Sequence, residues 1–133
     1  TVTTPFGNAE NPFDICKLVE GAAASFVARW TTYHPRQIVK TAKKAIQKRG
    51  FAFVEVVSQC PVEFGRKTGM GNSVQMMEQY KLNSVGLARA KTMAPEALAG
   101  KIVVGEFVDI DKPELIETMA AVRAKAMASG GGK

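Results

Sequence analysis

The length and composition of the chain are those of one globular domain. A chain of 133 residues can bury a single hydrophobic core, and an apolar fraction of 46% excludes an intrinsically disordered chain. No apolar run reaches the length of a membrane-spanning helix, and the first twelve residues lack the basic start and apolar run of a secretion signal. The net charge of +6 leaves anionic partners open.

The first third of the chain predicts a helix and then a strand. Apolar residues recur at helical spacing after Pro12, a residue type that suits the start of a helix. These apolar residues are Ile15, Leu18, Val19 and Ala22. Residues 25–30 follow with the composition of a strand.

A second helix is predicted from His34-Pro35 to Gly50, since a glycine commonly follows the last helical residue. Its inward stripe consists of Ile38, Ala42, Ala45 and Ile46. Six basic residues fall within fourteen positions here: Arg36, Lys40, Lys43, Lys44, Lys48 and Arg49. Since the lysines lie away from the apolar stripe, the spacing predicts a solvated helix face. A basic run can also bind nucleic acid or another anionic partner.

Residues 51–58 are almost continuously apolar, which is typical of a strand covered on both faces. Strand, helix and strand with short connections form a βαβ unit, which implies parallel pairing. We therefore expect residues 25–30 and 51–58 to be adjacent parallel strands, with the helix of residues 35–49 packed across them.

The second half of the chain is less regular. Residues 59–72 predict a loop, and Ser73 is expected to cap a helix that runs to about Lys81. A poorly patterned connection leads to a short strand over residues 102–108. The last segment, residues 110–128, is expected to form a C-terminal helix that starts at Pro113, and residues 129–133 are expected to be a disordered tail. The residues of that helix expected to face inward are Leu115, Ile116, Met119 and Val122.

The predicted fold class is α/β, as part of a doubly wound parallel sheet truncated at the N-terminal side. Doubly wound sheets usually have about five or six strands, and two or three would be a lopsided domain. The start of the chain on Thr1, in what reads as the middle of a loop, agrees with this expectation.

Candidate site residues follow the predicted strands, since ligands of such sheets bind outside the C-terminal strand ends. His34, the sole histidine, is either a cofactor contact or an ordinary residue at a helix start. From its spacing alone, Cys60 is interpreted as a small buried hydrophobe. Cys60 and His34 could instead form a nucleophile pair, although no third orienting group is identifiable. Arg66 is either a partner for a carboxylate or a solvated loop charge. Cys16 and Cys60 form no C-x-x-C pair, which argues against a zinc site or a disulfide framework and favours a cytoplasmic setting.

Methionines near Tyr80 allow two interpretations. They are Met70, Met76 and Met77. Packing in a core or interface is the stronger interpretation, and a soft metal or partner site is the other.

Several segments resemble the beta subunits of 2-oxoacid:ferredoxin oxidoreductases, over roughly residues 1–107. They are Thr3-Thr4-Pro5-Phe6-Gly7-Asn8, Asn11-Pro12-Phe13-Asp14, Val27-Ala28-Arg29-Trp30-Thr31-Thr32 and His34-Pro35-Arg36-Gln37. The run Phe53-Val54-Glu55-Val56-Val57-Ser58-Gln59-Cys60-Pro61, followed by Phe64-Gly65-Arg66, is most similar to the 2-oxoglutarate type.

The resemblance implies oxidative decarboxylation of a 2-oxoacid to an acyl-CoA, with electrons passed to ferredoxin. The implied cofactors of the intact enzyme are thiamine diphosphate, Mg²⁺ and a 4Fe-4S cluster, and the implied partners are an alpha subunit, ferredoxin, the 2-oxoacid and CoA. Neither nucleic acid nor a membrane is implied. Residues 1–109 would be the C-terminal part of the thiamine-diphosphate-binding domain.

The resemblance also assigns roles to residues. Cys60 matches the cluster ligand supplied by the later part of the subunit, His34 becomes a candidate cofactor contact and Arg66 a candidate substrate contact, and no catalytic residue is assigned. The family's Gly-Asp-Gly motif and early cysteines do not occur in this sequence. The chain alone is therefore expected to be inactive and to bind neither cofactor.

Two other classes of function remain as alternatives. One is a non-catalytic α/β interaction module whose basic helix binds an anionic partner. The other is a complete small redox protein using Cys60 alone, which the lack of a nearby resolving cysteine disfavours.

Overall fold

A computed structural model of the protein describes residues 6–10, 12–69 and 71–130. Within these residues, twelve elements follow one another. They are α1 (Ile15–Gly21), β1 (Phe26–Thr31), α2 (Pro35–Gln47), β2 (Ala52–Val57), a π-helix (Pro61–Gly65), α3 (Arg66–Thr68), α4 (Ser73–Asn83), β3 (Ser84–Gly86), α5 (Leu87–Ala90), α6 (Pro95–Leu98), β4 (Ile102–Asp109) and α7 (Leu115–Gly130).

The described strands form one sheet in the order β2-β1-β4-β3. β1 and β2 are parallel, from the pair Phe26–Ala52 to the pair Thr31–Val57, and α2 packs across both. The predicted βαβ unit is therefore confirmed, and with it the α/β fold class. The sheet is mixed rather than wholly parallel, because β4 runs antiparallel to β1 while β3 runs parallel to β4.

β1 is the most deeply buried element, since it has a strand on each side and a helix over each face. Alternate side chains of a strand point to opposite faces. On one face, Val27 packs in a cluster with Cys16 of α1. On the other face, the Trp30 indole N–H donates to Thr41 Oγ1 of α2 at 2.9 Å. This position makes the C-terminal end of β1 a rigid edge on which a site can be built.

The structure corrects the predicted inner face of two helices. α1 begins at Ile15 rather than at Pro12. Asp14 is its N-cap residue, and the Asp14 side chain accepts a hydrogen bond from the Lys17 N–H. The fully buried residue of α1 is Cys16, whereas Ile15 and Leu18 are exposed. In α2, Ile38, Ala42 and Ala45 of the predicted stripe are half-buried, but the fully buried residue is Thr41 and Ile46 is exposed. In both helices a polar or small side chain replaces an aliphatic one at the buried position, which apolar periodicity alone does not reveal.

The segment predicted as a loop, residues 59–72, contains the π-helix and α3. Asn72, rather than Ser73, caps α4. The poorly patterned connection contains β3, α5 and α6. Short elements of three to five residues leave too few apolar repeats for a periodicity to be recognised.

The inward face predicted for α7 is wrong, because Leu115, Ile116, Met119 and Val122 are all exposed. The helix extends through Ser129 and Gly130, where the sequence predicts a disordered tail. Residues 131–133 of that tail lie outside the described residues. No helix in the described ranges is long and apolar enough to cross a bilayer.

Candidate functional site

The loops that follow β1 and β2 meet at one edge of the sheet, as predicted for parallel neighbours. The Thr32 N–H donates to the Val57 carbonyl at 3.0 Å. The Thr32 hydroxyl donates to Gln59 Oε1 at 2.5 Å, and it lies 3.5 Å from Met77 Sδ. These contacts place the start of α2, the segment before Cys60 and α4 beside one another.

Cys60 is exposed and precedes the π-helix, whose first residue is Pro61. The Gly65 N–H donates to the Cys60 carbonyl at 2.9 Å and closes the wide turn. Gly65 is buried, and a Cβ atom at this position would lie 3.1 Å from Met76 Sδ. The interpretation of Cys60 as a buried hydrophobe is therefore wrong, and the thiol is presented at the surface by a tightly packed turn.

The Cys60 thiol is electrostatically disposed to ionise. Backbone N–H groups of Phe64 and then Glu63 face the sulfur and lower the pKa of the thiol. The Cys60 side chain forms no regular capping hydrogen bond to the π-helix. A lowered pKa favours the thiolate, which is the form that binds iron.

A cavity of about 370 Å³ opens beside Cys60, and most of its wall is apolar. Its lining residues are Ser58, Gln59, Cys60, Phe64, Met76, Gln79 and Tyr80. Met76 and Tyr80 lie four residues apart on α4, on one helix face, and burial raises the pKa of the Tyr80 phenol. Packing is thus the role of Met76, while Met70 lies outside the described residues. The four-residue spacing is the signal in the sequence that could have identified this wall.

His34 lies at the same sheet edge but makes local contacts. Its Nδ1 is 2.9 Å from Thr31 Oγ1, and its ring centroid lies 5.6 Å from that of Trp30 and 5.4 Å from that of Tyr33. It occupies the N-cap position of α2 without a capping hydrogen bond from its side chain. His34 does not line the cavity beside Cys60.

Arg66 is exposed and directly follows the π-helix as the first residue of α3. It does not line the Cys60 cavity either. Of the three candidate residues, the structure therefore brings only Cys60 to this cavity.

A second polar cluster, which the sequence did not predict, lies on the face of β1 that packs against α1. Arg29 forms ion pairs with Glu55 of β2 and, at 2.6 Å, with Asp14 before α1. The thiol of Cys16 donates to Glu55 Oε2 at 3.3 Å. Burial, and then this hydrogen bond, raise the pKa of Cys16 to about 12, so this thiol stays protonated.

The basic run divides into two groups. Lys44 pairs with Glu106 and Asp109, at 2.6 and 2.5 Å, and Lys48 pairs with Asp109 and Asp111. Arg49 pairs with Glu117. Lys44 and Lys48 are thus half-buried and paired with carboxylates on or just after β4, which the prediction of a solvated helix face did not include.

The other three basic residues are Arg36, Lys40 and Lys43. They are exposed, and in the structure as described they form no ion pair.

The described residues include no group of three or more His, Cys, Asp or Glu side chains that could hold a metal ion. Cys60 offers one thiolate, and a cluster bound there would need its other ligands from elsewhere. An exposed thiol with a lowered pKa, facing a largely apolar cavity, has the chemistry of such a single ligand.

Three comparisons relate the chain to known proteins. No family model matches it. It is 53% identical, over 88% of its length, to the 2-oxoglutarate synthase subunit KorB of Methanocaldococcus jannaschii. It is 48% identical, over 90% of its length, to KorB of Methanothermobacter thermautotrophicus. The chain spans 43% and 42% of the lengths of these two relatives.

The fold matches a solved structure of the 2-oxoglutarate:ferredoxin oxidoreductase from Magnetococcus marinus, with a TM-score of 0.69 and 24% identity. The match covers 98% of this chain and 45% of the other.

The α/β architecture of this chain is thus similar to that of the matched part of the Magnetococcus marinus oxidoreductase chain. Over the matched residues, the chain is homologous to KorB subunits of 2-oxoglutarate synthase, and the resemblance described from the sequence is confirmed.

Proposed function

We propose that this chain is part of the beta subunit of a 2-oxoglutarate:ferredoxin oxidoreductase. The enzyme would oxidatively decarboxylate 2-oxoglutarate, form the CoA thioester and pass the electrons to ferredoxin. The observation that carries the proposal is identity of 48–53% to three KorB subunits over 86–90% of the chain. An alpha subunit would complete the enzyme, and two free cysteines agree with a reducing, cytoplasmic setting.

In the proposed enzyme, thiamine diphosphate with Mg²⁺ would supply the decarboxylation chemistry and a 4Fe-4S cluster the one-electron transfers. This chain would contribute Cys60 as one ligand of that cluster. Support comes from the exposure of the thiol, its lowered pKa and the adjoining cavity. The remaining ligands and the diphosphate site would lie outside this chain, which alone is expected to bind neither cofactor.

Two further roles belong to the proposal. His34 would contact the cofactor, which its position at the C-terminal edge of β1 supports. Arg66 would pair with a carboxylate of the substrate, which the exposure of its guanidinium beside the π-helix supports.

The activity is tested on the complete enzyme. We expect reduction of ferredoxin, or of methyl viologen as a small acceptor, to require both 2-oxoglutarate and CoA. Pyruvate is the control substrate and should be much less effective. No 2-oxoacid-dependent reduction of either acceptor would refute the proposed activity, and equal rates with pyruvate would refute the proposed substrate.

The ligand role is tested by Cys60→Ala in the complete enzyme, with Cys16→Ala as the matched control. Loss of one thiolate should remove the cluster signal or shift its potential. Decarboxylation should persist while electron delivery to ferredoxin falls sharply. The control should keep its full iron content, although removal of a buried side chain lowers stability by about 1–2 kcal/mol. Full iron content and unchanged electron delivery in Cys60→Ala would exclude the ligand role.

A further inference from the structure

The exposed face of α2 combines positive charge with aliphatic surface. Five residues form this α2 stripe: Arg36, Val39, Lys40, Lys43 and Ile46. At 3.6 residues per turn they fall within an arc of about 120°. That arc lies opposite the side of the helix that carries the buried Thr41.

The charges of the α2 stripe are not neutralised within the described residues. Lys44 and Lys48, on the flank of the same helix, are paired with carboxylates on or just after β4. Arg36, Lys40 and Lys43 form no such pair in the ranges that the structure describes. Three uncompensated positive charges on one face attract a negatively charged partner over about the Debye length.

The aliphatic residues of the stripe indicate the kind of partner. Val39 is 55% exposed and Ile46 is 84% exposed, and both lie between or beside the positive side chains. Protein interfaces combine apolar contact with charged rims. Interfaces with single-stranded nucleic acid add aromatic stacking to their phosphate contacts, and the α2 stripe contains no aromatic residue.

The α2 stripe starts at the sheet edge that carries Cys60. α2 begins four residues after β1 ends, and the hydrogen bond from Thr32 to Gln59 joins that connection to the segment before Cys60. With a rise of about 1.5 Å per residue, Lys43 lies roughly 10 Å along the helix from Arg36. A protein bound along the stripe would therefore lie beside the Cys60 edge.

We propose that the α2 stripe is a docking surface for an acidic electron-carrier protein. The inference rests on the proposed function, since only an electron-transferring enzyme needs a carrier beside the Cys60 edge. Positive side chains steer the acidic partner and set its orientation, while Val39 and Ile46 supply the apolar contact.

The test compares two charge-reversed forms of the complete enzyme. In the first, Arg36→Glu, Lys40→Glu and Lys43→Glu are combined. In the matched control, three exposed basic residues of other helices are reversed: Lys81→Glu, Arg123→Glu and Lys125→Glu. The KM for the ferredoxin of the same organism and the rate with methyl viologen are measured for both.

We expect the KM for ferredoxin to rise at least about tenfold in the stripe variant at low salt, with the viologen rate unchanged. The control should match the wild type. Raising the salt from about 10 mM to about 150 mM should raise the wild-type KM, because the Debye length shortens from about 30 Å to about 8 Å, and should have little effect on the stripe variant. An unchanged KM in the stripe variant would overturn the inference.

Two further measurements distinguish failure of the docking inference from failure of the proposed function. Direct binding of oxidised ferredoxin, measured by calorimetry, tests docking without turnover. If the wild type reduces no acceptor, the proposed function fails, while binding to the wild type but not to the stripe variant would still support docking. If the stripe variant loses binding to DNA or RNA and keeps its KM for ferredoxin, the stripe is a nucleic-acid surface and the inference is wrong.

Discussion

The two cysteines lie in opposite chemical environments. Cys60 is exposed and backbone N–H groups lower its pKa, whereas Cys16 is 3% exposed and burial raises its pKa to about 12. The thiolate is the reactive form of cysteine. At Cys60, exposure and the lowered pKa both favour reaction, whereas at Cys16 burial and the raised pKa both oppose it.

We therefore expect iodoacetamide to alkylate Cys60 in the cluster-free native protein and to leave Cys16 unmodified until the protein unfolds. The rate at Cys60 should rise with pH and reach half its maximum below the pKa of a free thiol. Peptide mass spectrometry gives the modification at each site, with Cys60→Ser as the control. Equal labelling of both cysteines would contradict these environments.

Arg29 holds two carboxylates from different parts of the chain, Asp14 and Glu55. Burial opposes ionisation of Asp14, but hydrogen bonds from Arg29 and from the Lys17 N–H lower its pKa on balance. A lowered folded-state pKa contributes stability above the unfolded value, and that contribution is lost as the pH falls through the folded value.

The variant Arg29→Met should lower the free energy of unfolding at pH 7 by about 2 kcal/mol, between the cost of breaking a surface pair and a buried pair. The difference from the wild type should begin to narrow below about pH 4, where the Asp14 carboxyl of the unfolded chain is protonated. It should be lost at lower pH, as the pH falls through the lowered pKa of Asp14 in the folded protein. Urea unfolding, followed by the fluorescence of Trp30, the sole tryptophan, measures the free energy of unfolding of both proteins at each pH. Arg66→Met, at an exposed position, should change stability by less than about 0.5 kcal/mol. Equal losses at both arginines would refute this role of Arg29.

At the scale of elements, the start of α4 shows how a helix boundary is decided. The Asn72 side chain accepts from the Val74 and Gln75 N–H groups, both at 3.1 Å, and the Gln75 side chain accepts from the Asn72 N–H at 3.0 Å. This reciprocal capping box satisfies N–H groups that the helix itself cannot.

Asn72→Ala should therefore cost about 1 kcal/mol of stability. Ser73→Ala, one residue later, should cost less than about 0.5 kcal/mol, although the sequence favoured Ser73 as the cap. Thermal unfolding of the two variants distinguishes the positions. A larger loss at Ser73 would show that the helix starts there instead.

At the scale of the whole molecule, stability comes from the sheet and not from α7. Val104 of β4 is 3% exposed, whereas Ile116 and Met119 of α7 are 77% and 61% exposed. Burial, not apolar character, determines how much a side chain contributes to folding.

Val104→Ala should lower the free energy of unfolding by about 2 kcal/mol. Ile116→Gln and Met119→Gln together should change it by less than about 0.5 kcal/mol, because both positions are exposed and glutamine suits a helix. Chemical denaturation measures the free energy of unfolding of Val104→Ala and of the double variant. A large loss for the α7 pair would show that another surface covers this helix.

Local patterns were sufficient to predict the βαβ unit and the position of Cys60. The connections between β1, α2 and β2 are short, and parallel neighbours end at the same edge of a sheet, so the loops after residues 30 and 58 had to meet. The family resemblance then pointed to Cys60 as the residue of interest. The prediction of the βαβ unit and of the meeting of the two loops involves only residues close together in the sequence and the shared direction of two strands.

The contacts that cross the chain required the tertiary structure. β4 pairs antiparallel with β1, and an apolar run carries no information on strand direction. Lys44 and Lys48 meet carboxylates about sixty positions later in the chain, so their spacing on α2 could not reveal the pairs. The apolar stripe of α7 predicted burial, but burial needs an opposing surface that periodicity does not supply. The sequence by itself thus determined the βαβ unit beside the site and the family resemblance. The tertiary structure decided the π-helix after Cys60, strand direction, charge pairing and exposure, because these depend on packing and on residues brought together from distant positions.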